Sequence, residues 1–79
     1  MSNWQATIPN NGAAVTPADT GTLEQPSTIY IGVGGNIKVL TTREATLTFI
    51  GVIAGTVLPV QVKRVFSTDT TATNLVALW

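Results

Sequence analysis

The chain has 79 residues, of which 44% are hydrophobic and 10% are charged, and its four basic residues balance its four acidic ones. A single domain of this length buries only about 60% of the surface of its unfolded chain, so apolar surface remains for partners. The sequence has no cysteine and no histidine, which removes disulfides, thiolate chemistry and the usual general base. Zero net charge disfavours nucleic-acid binding. The composition therefore favours an assembly subunit over an enzyme.

Residues 1–27 are rich in Asn, Thr, Pro, Gly and Ala and show no sustained hydrophobic period. This composition predicts an extended N-terminal arm, followed by a small β-domain over residues 28–79. Trp4 and Ile8 are costly to leave in water, so we expect the arm to lie along its own domain or a neighbouring subunit. A disordered tail is the alternative. The start, MSNWQATIPNNG, lacks the basic region and apolar run of a signal peptide.

The stretch IYIGVGGNIKV contains a glycine-rich segment that suits either a phosphate-binding loop or a tight turn. A phosphate loop needs a helix start after it, but an alternating, β-branched run follows Asn36. The pattern therefore predicts a β-hairpin with its corner at residues 34–36. Its inward side chains are Ile29, Ile31 and Val33 before the corner and Ile37 and Val39 after it, while Tyr30 and Lys38 point outward.

Further short strands follow. A third strand has Ala45, Leu47 and Phe49 inward and Thr46 and Thr48 outward. After a turn at residues 53–56, the inner row of a fourth strand comprises Leu58, Val60 and Val62. The alternation then breaks at residues 63–65, which indicates either a β-bulge or a strand buried on both faces. A polar turn at residues 67–73 precedes a final strand at residues 74–79.

Residues 45–62 carry no charge and include a GxxxG motif, which raises the alternative of a membrane span of holin type. The period of two residues, with Pro59 and Gln61 interrupting the run, favours strands instead. We therefore predict an all-β fold: a small antiparallel β-sandwich or barrel of five to six short strands with an extended N-terminal arm.

The acidic residues are scattered. Asp19 and Glu24 lie in the arm, and Glu44 and Asp69 lie in separate turns, so no carboxylate pair for acid–base catalysis is indicated. Residues 69–74 offer oxygen ligands for calcium, but one acid is few for that role and a self-satisfied turn is the simpler interpretation. The sequence predicts no enzyme, no catalytic residue, no cofactor and no metal.

The remaining candidates are interaction residues. Lys63 and Arg64 suit either an acidic partner surface or a solvated strand edge. Exposed aromatics can also stack on single-stranded nucleic acid, but that function needs a basic groove. We expect large apolar side chains to form a subunit or capsid interface, because interfaces are enriched in aromatics. These are Trp4, Ile8, Tyr30, Phe66 and Trp79.

Five motifs occur in order: AVTPADTGTL, IYIGVGG, TLTFIGV, AGTVLPVQVKRV and TTATNLVALW. Their order and spacing resemble the small spike base proteins of gene transfer agents and tailed bacteriophages, from about residue 14 onward. The most specific parts are AGTVLPVQVKRV and TTATNLVALW. Ile53, where a residue such as proline is expected, and Trp79 as the last aromatic depart from that pattern.

The resemblance implies a structural virion protein on the outer capsid surface, made in the host cytoplasm. It implies a homo-oligomeric base, a pentamer or trimer, that connects the major capsid protein to a head spike or fibre, with no nucleic acid and no membrane as partner. A capsid decoration (cement) protein without a fibre is the alternative within the structural class. A small membrane protein of holin type is the alternative outside it.

Overall fold

The computed structural model describes residues 9–23 and 25–79, in which six strands form two antiparallel sheets. The strands are Gly12–Val15 (β1), Thr28–Val33 (β2), Gly35–Thr41 (β3), Thr46–Val52 (β4), Val62–Val65 (β5) and Thr73–Leu78 (β6). The first sheet has the strand order β1-β6-β2 and the second has the order β4-β3-β5. The all-β prediction with six short strands is confirmed. No helix in the described residues is long and apolar enough to cross a membrane.

One hydrophobic core lies between the inner faces of the two sheets. The predicted alternation places Ile29 and Ile31 of β2 inward, and both are fully buried. Ile37 and Val39 of β3 meet them from the second sheet and are equally buried. Leu58, Val62, Val65, Ala72, Leu75 and Ala77 complete this core.

The two sheets are joined along one side by the chain between β4 and β5. The Ile31 N–H donates to the Thr56 carbonyl (2.8 Å), and the Leu58 N–H donates to the Ile29 carbonyl (2.9 Å). Further along, the Val62 N–H donates to the Ser27 carbonyl (2.7 Å). Residues 55–58 therefore extend the first sheet beyond β2, and the same chain then enters the second sheet as β5. The fold is a small sandwich with one connected side.

The predicted hairpin at residues 34–36 is wrong, because β2 and β3 belong to different sheets. β2 pairs with β6, and β3 pairs with β4 and β5. The glycines serve a crossing between sheets: a Cβ at Gly34 would lie 2.6 Å from the Val52 carbonyl oxygen and 3.2 Å from the Ala54 nitrogen. A strand follows directly at Gly35, in place of the helix start that a phosphate loop requires.

The break in alternation near residue 64 is a β-bulge. Val62 and Val65 are both buried although they are three residues apart. On the partner strand, Thr41 pairs with Val62 and Leu40 pairs with Arg64, so Lys63 is the extra residue. The bulge alternative is thereby confirmed. The strand begins at Val62, whereas the sequence pattern placed a strand from residue 58 onward.

Three residues predicted to face inward are exposed instead. Val33 lies at the end of β2, where its pairing with β6 stops at Thr73. Ala45 precedes β4, and Leu47 lies on β4, which forms one edge of the second sheet. Phe49, predicted to be core, is half-buried and packs against the core. An edge strand has a neighbour on one side only, so its inward residues are covered less completely than those of β3.

Part of the predicted arm is paired with the domain. β1 lies within residues 1–27 and pairs with β6. The chain then crosses to the second sheet, where the Ala18 N–H donates to the Val65 carbonyl (2.9 Å) and the Leu23 N–H donates to the Lys63 carbonyl (2.7 Å). These bonds cover the side of β5 that β3 leaves open.

Candidate interaction surfaces

Charged residues are segregated between the two sheets. The three strands of the first sheet, β1, β2 and β6, contain no charged residue. Lys38 lies on β3, and Lys63 and Arg64 lie on β5. Lys38 is 3.8 Å from Asp69, and Lys63 forms an ion pair with Glu44. The outer face of the first sheet therefore presents no charged strand residue to its surroundings.

Four apolar side chains cross this uncharged face in one row. Tyr30 points outward because its neighbours Ile29 and Ile31 are buried. Val76 pairs with both Ala14 and Tyr30, and Tyr30 pairs with Val57. Residues paired across neighbouring strands share a face, and the strands lie about 4.8 Å apart. We call Ala14, Val76, Tyr30 and Val57 the apolar row.

The apolar row is accessible to a partner. Tyr30 is 38% exposed and Val57 is 47% exposed, while Val76 is half-buried between its neighbours. Large apolar side chains that share an exposed, uncharged face are typical of interaction sites, whereas single exposed ones need no explanation. The outer face of the first sheet is therefore the strongest candidate interaction surface in the described residues.

A second exposed apolar feature lies at the end of β4. Ile50 follows Thr46 and Thr48 in the outward phase of the strand and is 73% exposed. Gly51, with φ of 67°, is held by a hydrogen bond from its N–H to Asn36 Oδ1 (3.0 Å). The pairing of β3 and β4 shifts register between Gly35 and Ile37, so Ile50 lies at an irregularity in the strand. Ile53, in the turn that follows, is equally exposed.

Phe66 lies between two cations of the second sheet. Lys38 Nζ is 5.2 Å and the Arg64 guanidinium carbon is 5.4 Å from the centre of its ring. The Phe66 N–H donates to the Lys38 carbonyl (2.9 Å), which fixes the ring beside β3. Each cation–π contact contributes about 0.5–1 kcal/mol at an exposed site. Much of this half-buried ring is therefore used within the subunit.

Trp79 is joined to the arm by backbone hydrogen bonds. Its carbonyl accepts the N–H groups of Asn10 (2.8 Å) and Asn11 (2.9 Å), and its own N–H donates to the Asn11 carbonyl (3.0 Å). Its half-buried side chain packs against the core. Trp4 and Ile8, the other two candidates from the sequence, lie outside the described residues.

The three described candidates lie in three places and form no common surface. Tyr30 is on the outer face of the first sheet, Phe66 is beside β3 in the second sheet, and Trp79 follows β6. The sequence pattern alone did not indicate Ala14, Val57, Val76 or Ile50 as interaction residues. A signal existed for Ile50, which is apolar in the same outward phase as Thr46 and Thr48. The apolar row depends on pairing between distant strands, which a single sequence does not give.

Asp19 connects the arm to the loop between β5 and β6. Its Oδ1 accepts the N–H groups of Ser67 (3.0 Å) and Thr68 (2.9 Å), and its Oδ2 accepts the Thr68 hydroxyl (2.6 Å). The hydrogen bonds from Thr68, followed by those from Ser67, hold the pKa of the Asp19 carboxyl below its ordinary value of 3.8. The Asp19 carboxylate therefore stabilises the contact between the arm and this loop.

Two small grooves flank residues 22 and 23. One has a volume of about 110 Å³ and contains Arg64, whose Nε donates to the Gly21 carbonyl (2.6 Å). The other has a volume of about 210 Å³ and lies between Val15, Leu23 and Trp79. Pockets for small molecules usually measure about 300–1,000 Å³. These grooves are too small for such ligands, so the exposed surfaces are the better candidates for function.

A solved structure with the same fold identifies the biological context. The chain is similar to a chain of a structure described as "Capsid of native GTA particle computed with C5 symmetry", where GTA denotes a gene transfer agent. The TM-score is 0.78 with 32% sequence identity, and the match covers 90% of this chain and 83% of that chain. This chain belongs to the capsid-associated proteins of gene transfer agents and phages. No protein-family model and no curated protein matches this capsid-associated protein.

Membership in this family makes the chain a structural protein of a virion. The GTA neighbour supports the non-enzymatic role expected from the absence of cysteine and histidine. The broader part of the resemblance seen in the sequence, a capsid-associated protein, is confirmed. For a capsid-associated protein, an exposed and uncharged apolar row is a natural contact surface.

Proposed function

We propose that this capsid-associated protein forms a homo-oligomeric base on the outer surface of the capsid and connects the capsid to a head spike or fibre. The observation that carries the proposal is the apolar row on an otherwise uncharged sheet face. A domain of this size usually needs a disulfide, a metal or association with other chains to be stable, and this chain has no cysteine to form a disulfide. The order of motifs along the chain supports the spike base role.

The proposed partners are other copies of this chain, the major capsid protein and a spike or fibre protein. The similar chain comes from a capsid computed with C5 symmetry, and a pentameric base would match that symmetry. A base on a fivefold vertex would present one side to the shell and the other to the fibre. The proposed role requires no enzymatic activity and no cofactor.

The proposed interface residues differ in how strongly the structure supports them. Tyr30 has the best support, since it is exposed within the apolar row. Phe66 and Trp79 are half-buried by contacts within the subunit, so only part of each side chain is available. Trp4 and Ile8 remain proposals from the sequence.

The test is to delete the gene for this protein and to examine the resulting particles by electron microscopy. Loss of the spikes from otherwise intact capsids would support a base that connects the two. Spikes that remain on the capsids would contradict the proposal. If particles that contain this protein carry no spikes, and capsids that lack it are mechanically weaker, the protein is a cement protein instead.

The second measurement is the mass of the recombinant protein in solution, together with its binding to capsids. A pentamer that binds capsids lacking this protein supports the proposed base. The matched variants are Tyr30→Glu, which places a charge in the apolar row, and Gln25→Glu, which places the same charge on an exposed loop. Only the first should weaken the oligomer, because an unpaired charge buried at an interface is costly.

A further inference from the structure

Two exposed apolar features lie on opposite sides of the subunit. The apolar row is on the outer face of the first sheet, and Ile50 is in the outward phase of β4 in the second sheet. Because the inner faces of both sheets enclose one core, their outer faces point in opposite directions. A contact between identical patches on two copies would use only one of these two features.

A closed ring of five copies needs two different surfaces on each copy. In a cyclic assembly larger than a dimer, the contact is head-to-tail, so one patch of each subunit meets a different patch of the next. A contact of the apolar row with the same row would produce a twofold dimer. The ring proposed above therefore requires a second, complementary surface on the side away from the row.

We propose that Ile50 of one copy packs against the apolar row of the next copy and that this contact builds the ring. The inference rests on the proposed homo-oligomeric base and specifies its subunit contact. The two surfaces match in chemistry, since the side chains involved carry no charge. Small residues at Gly12, Ala14 and Gly32 lie beside the larger side chains of Tyr30 and Val76 on the receiving face.

The size of the contact is consistent with this arrangement. A standard interface buries about 800 Å² on each partner. Two such contacts on each copy would cover about a third of the 4930 Å² surface of the chain. Contacts of that extent need whole sheet faces, and the first sheet offers a face whose strands lack charge. Two of the three charged residues on the strands of the second sheet are paired with carboxylates, Lys38 with Asp69 and Lys63 with Glu44.

The experiment uses two variants that each damage one side of the contact. Tyr30→Glu damages the receiving row and leaves Ile50 intact, whereas Ile50→Glu does the reverse. Each variant alone should be monomeric, with association weakened at least about 30-fold, because a charge is buried without a partner. Gln25→Glu is the matched control and should keep the mass of the parent. Val57→Glu is a second row variant in case Tyr30→Glu does not fold.

Mixing the two monomeric variants gives the decisive result. The intact Ile50 of the Tyr30→Glu copy should bind the intact row of the Ile50→Glu copy, so the mixture should form a heterodimer and nothing larger. A mixture that stays monomeric would overturn the contact, as would an Ile50→Glu variant that keeps the ring. In the latter case, an intact ring on the capsid would leave the proposed function standing. A parent protein that is monomeric at every concentration would remove the proposed base itself.

Discussion

Asp19 accepts both the backbone N–H (2.9 Å) and the side-chain hydroxyl (2.6 Å) of Thr68, and so fastens the arm to the loop between β5 and β6. The same loop is held from the other side by β3. Thr70 Oγ1 accepts the Lys38 N–H (3.0 Å), and Thr71 Oγ1 accepts the Asn36 N–H (2.9 Å). The polar loop predicted at residues 67–73 therefore links the arm to the second sheet through side-chain oxygens.

The first prediction concerns the pH dependence of this connection. The Asp19 carboxyl has a lowered pKa in the folded protein, so its ionised form stabilises the fold. That contribution is complete above the ordinary value of 3.8 and is lost as the pH falls through the lowered folded value. Asp19→Asn should lower the melting temperature near neutral pH, and the difference from the parent should shrink below pH 3.8. Thermal unfolding of both proteins across this range measures the effect.

Thr68→Val is the companion variant, since it removes the hydroxyl and keeps the N–H group. In this variant, the fall of the melting temperature at acid pH should be centred closer to the ordinary pKa of Asp, because one of the hydrogen bonds that lower the pKa of Asp19 is gone. An Asp19→Asn variant whose deficit stays constant to the lowest pH would contradict this account.

The second prediction tests the crossing between the sheets. A Cβ at Gly34 would meet the Val52 carbonyl at 2.6 Å, and backbone atoms cannot move aside cheaply. Gly34→Ala should therefore destabilise the domain by about 1–3 kcal/mol or more, in the range of overpacking. Urea unfolding measures this loss. Gly21→Ala is the milder control, because no atom lies within 4 Å of its Cβ position and only the strain of its φ of 83° remains. Equal effects of the two variants would argue against the close approach.

The third prediction compares two isoleucines of opposite burial. Ile37 is fully buried between the sheets, and Ile53 is largely exposed in the turn after β4. Ile37→Ala should cost about 2–5 kcal/mol, which is a large part of the stability of so small a domain. Ile53→Ala should stay within about 0.5 kcal/mol in the isolated subunit. Denaturant midpoints of the two variants at low protein concentration make the comparison. A small loss of stability in Ile37→Ala would mean that the core collapses around the shorter side chain.

Local patterns predicted which residues are buried better than they predicted which strands are neighbours. The alternation around Ile29 and Ile37 placed both in the core, because side-chain direction follows directly from strand geometry. The glycine corner between them was assigned to a hairpin, although the two strands lie in different sheets. A hairpin and a crossing need the same local features, namely glycines flanked by alternating strands. Only the long-range pairing of β2 with β6 distinguishes them.

The candidate surfaces show the same limit of the sequence. The alternation of apolar residues along the strand indicated that Tyr30 points outward, but it did not indicate that Val57, Val76 and Ala14 lie beside it. Those neighbours come from segments far apart in the chain, joined by the pairing of β1, β2 and β6. Similarly, Phe66 was a candidate because it is aromatic, whereas its ring position between Lys38 and Arg64 depends on the pairing of β3 with β5.

The fourth prediction separates the internal role of Phe66 from its proposed role at an interface. Phe66→Leu removes both cation–π contacts and keeps an apolar side chain, so it should lower the stability of the subunit by about 1–2 kcal/mol. If Phe66 also lies at a subunit or capsid contact, the same variant should weaken the oligomer beyond this loss. Unfolding at low concentration and analytical ultracentrifugation report the two quantities separately. An unchanged oligomer with the expected loss of stability would confine Phe66 to its internal role.

The fifth prediction concerns the arm and uses two truncations that differ in what they remove. Deleting residues 1–8 removes Trp4 and Ile8, the proposed interface residues, and keeps the hydrogen bonds of Asn10 and Asn11 to Trp79. Deleting residues 1–11 removes those bonds as well. Each backbone hydrogen bond contributes about 0.5–1.5 kcal/mol net, so the longer deletion should cost the subunit roughly 2–4 kcal/mol more than the shorter one.

The oligomer provides the test of the interface. If Trp4 and Ile8 are buried between copies, the melting temperature of the intact protein should rise with concentration, because association stabilises the folded state by mass action. Removing residues 1–8 should reduce that slope and lower the oligomer mass, while the melting temperature at low concentration stays the same. Trp4→Ala should have a weaker effect in the same direction, since Ile8 remains. A truncated protein with the mass and the slope of the parent would show that these residues form no subunit contact, and the apolar row would then have to supply the association.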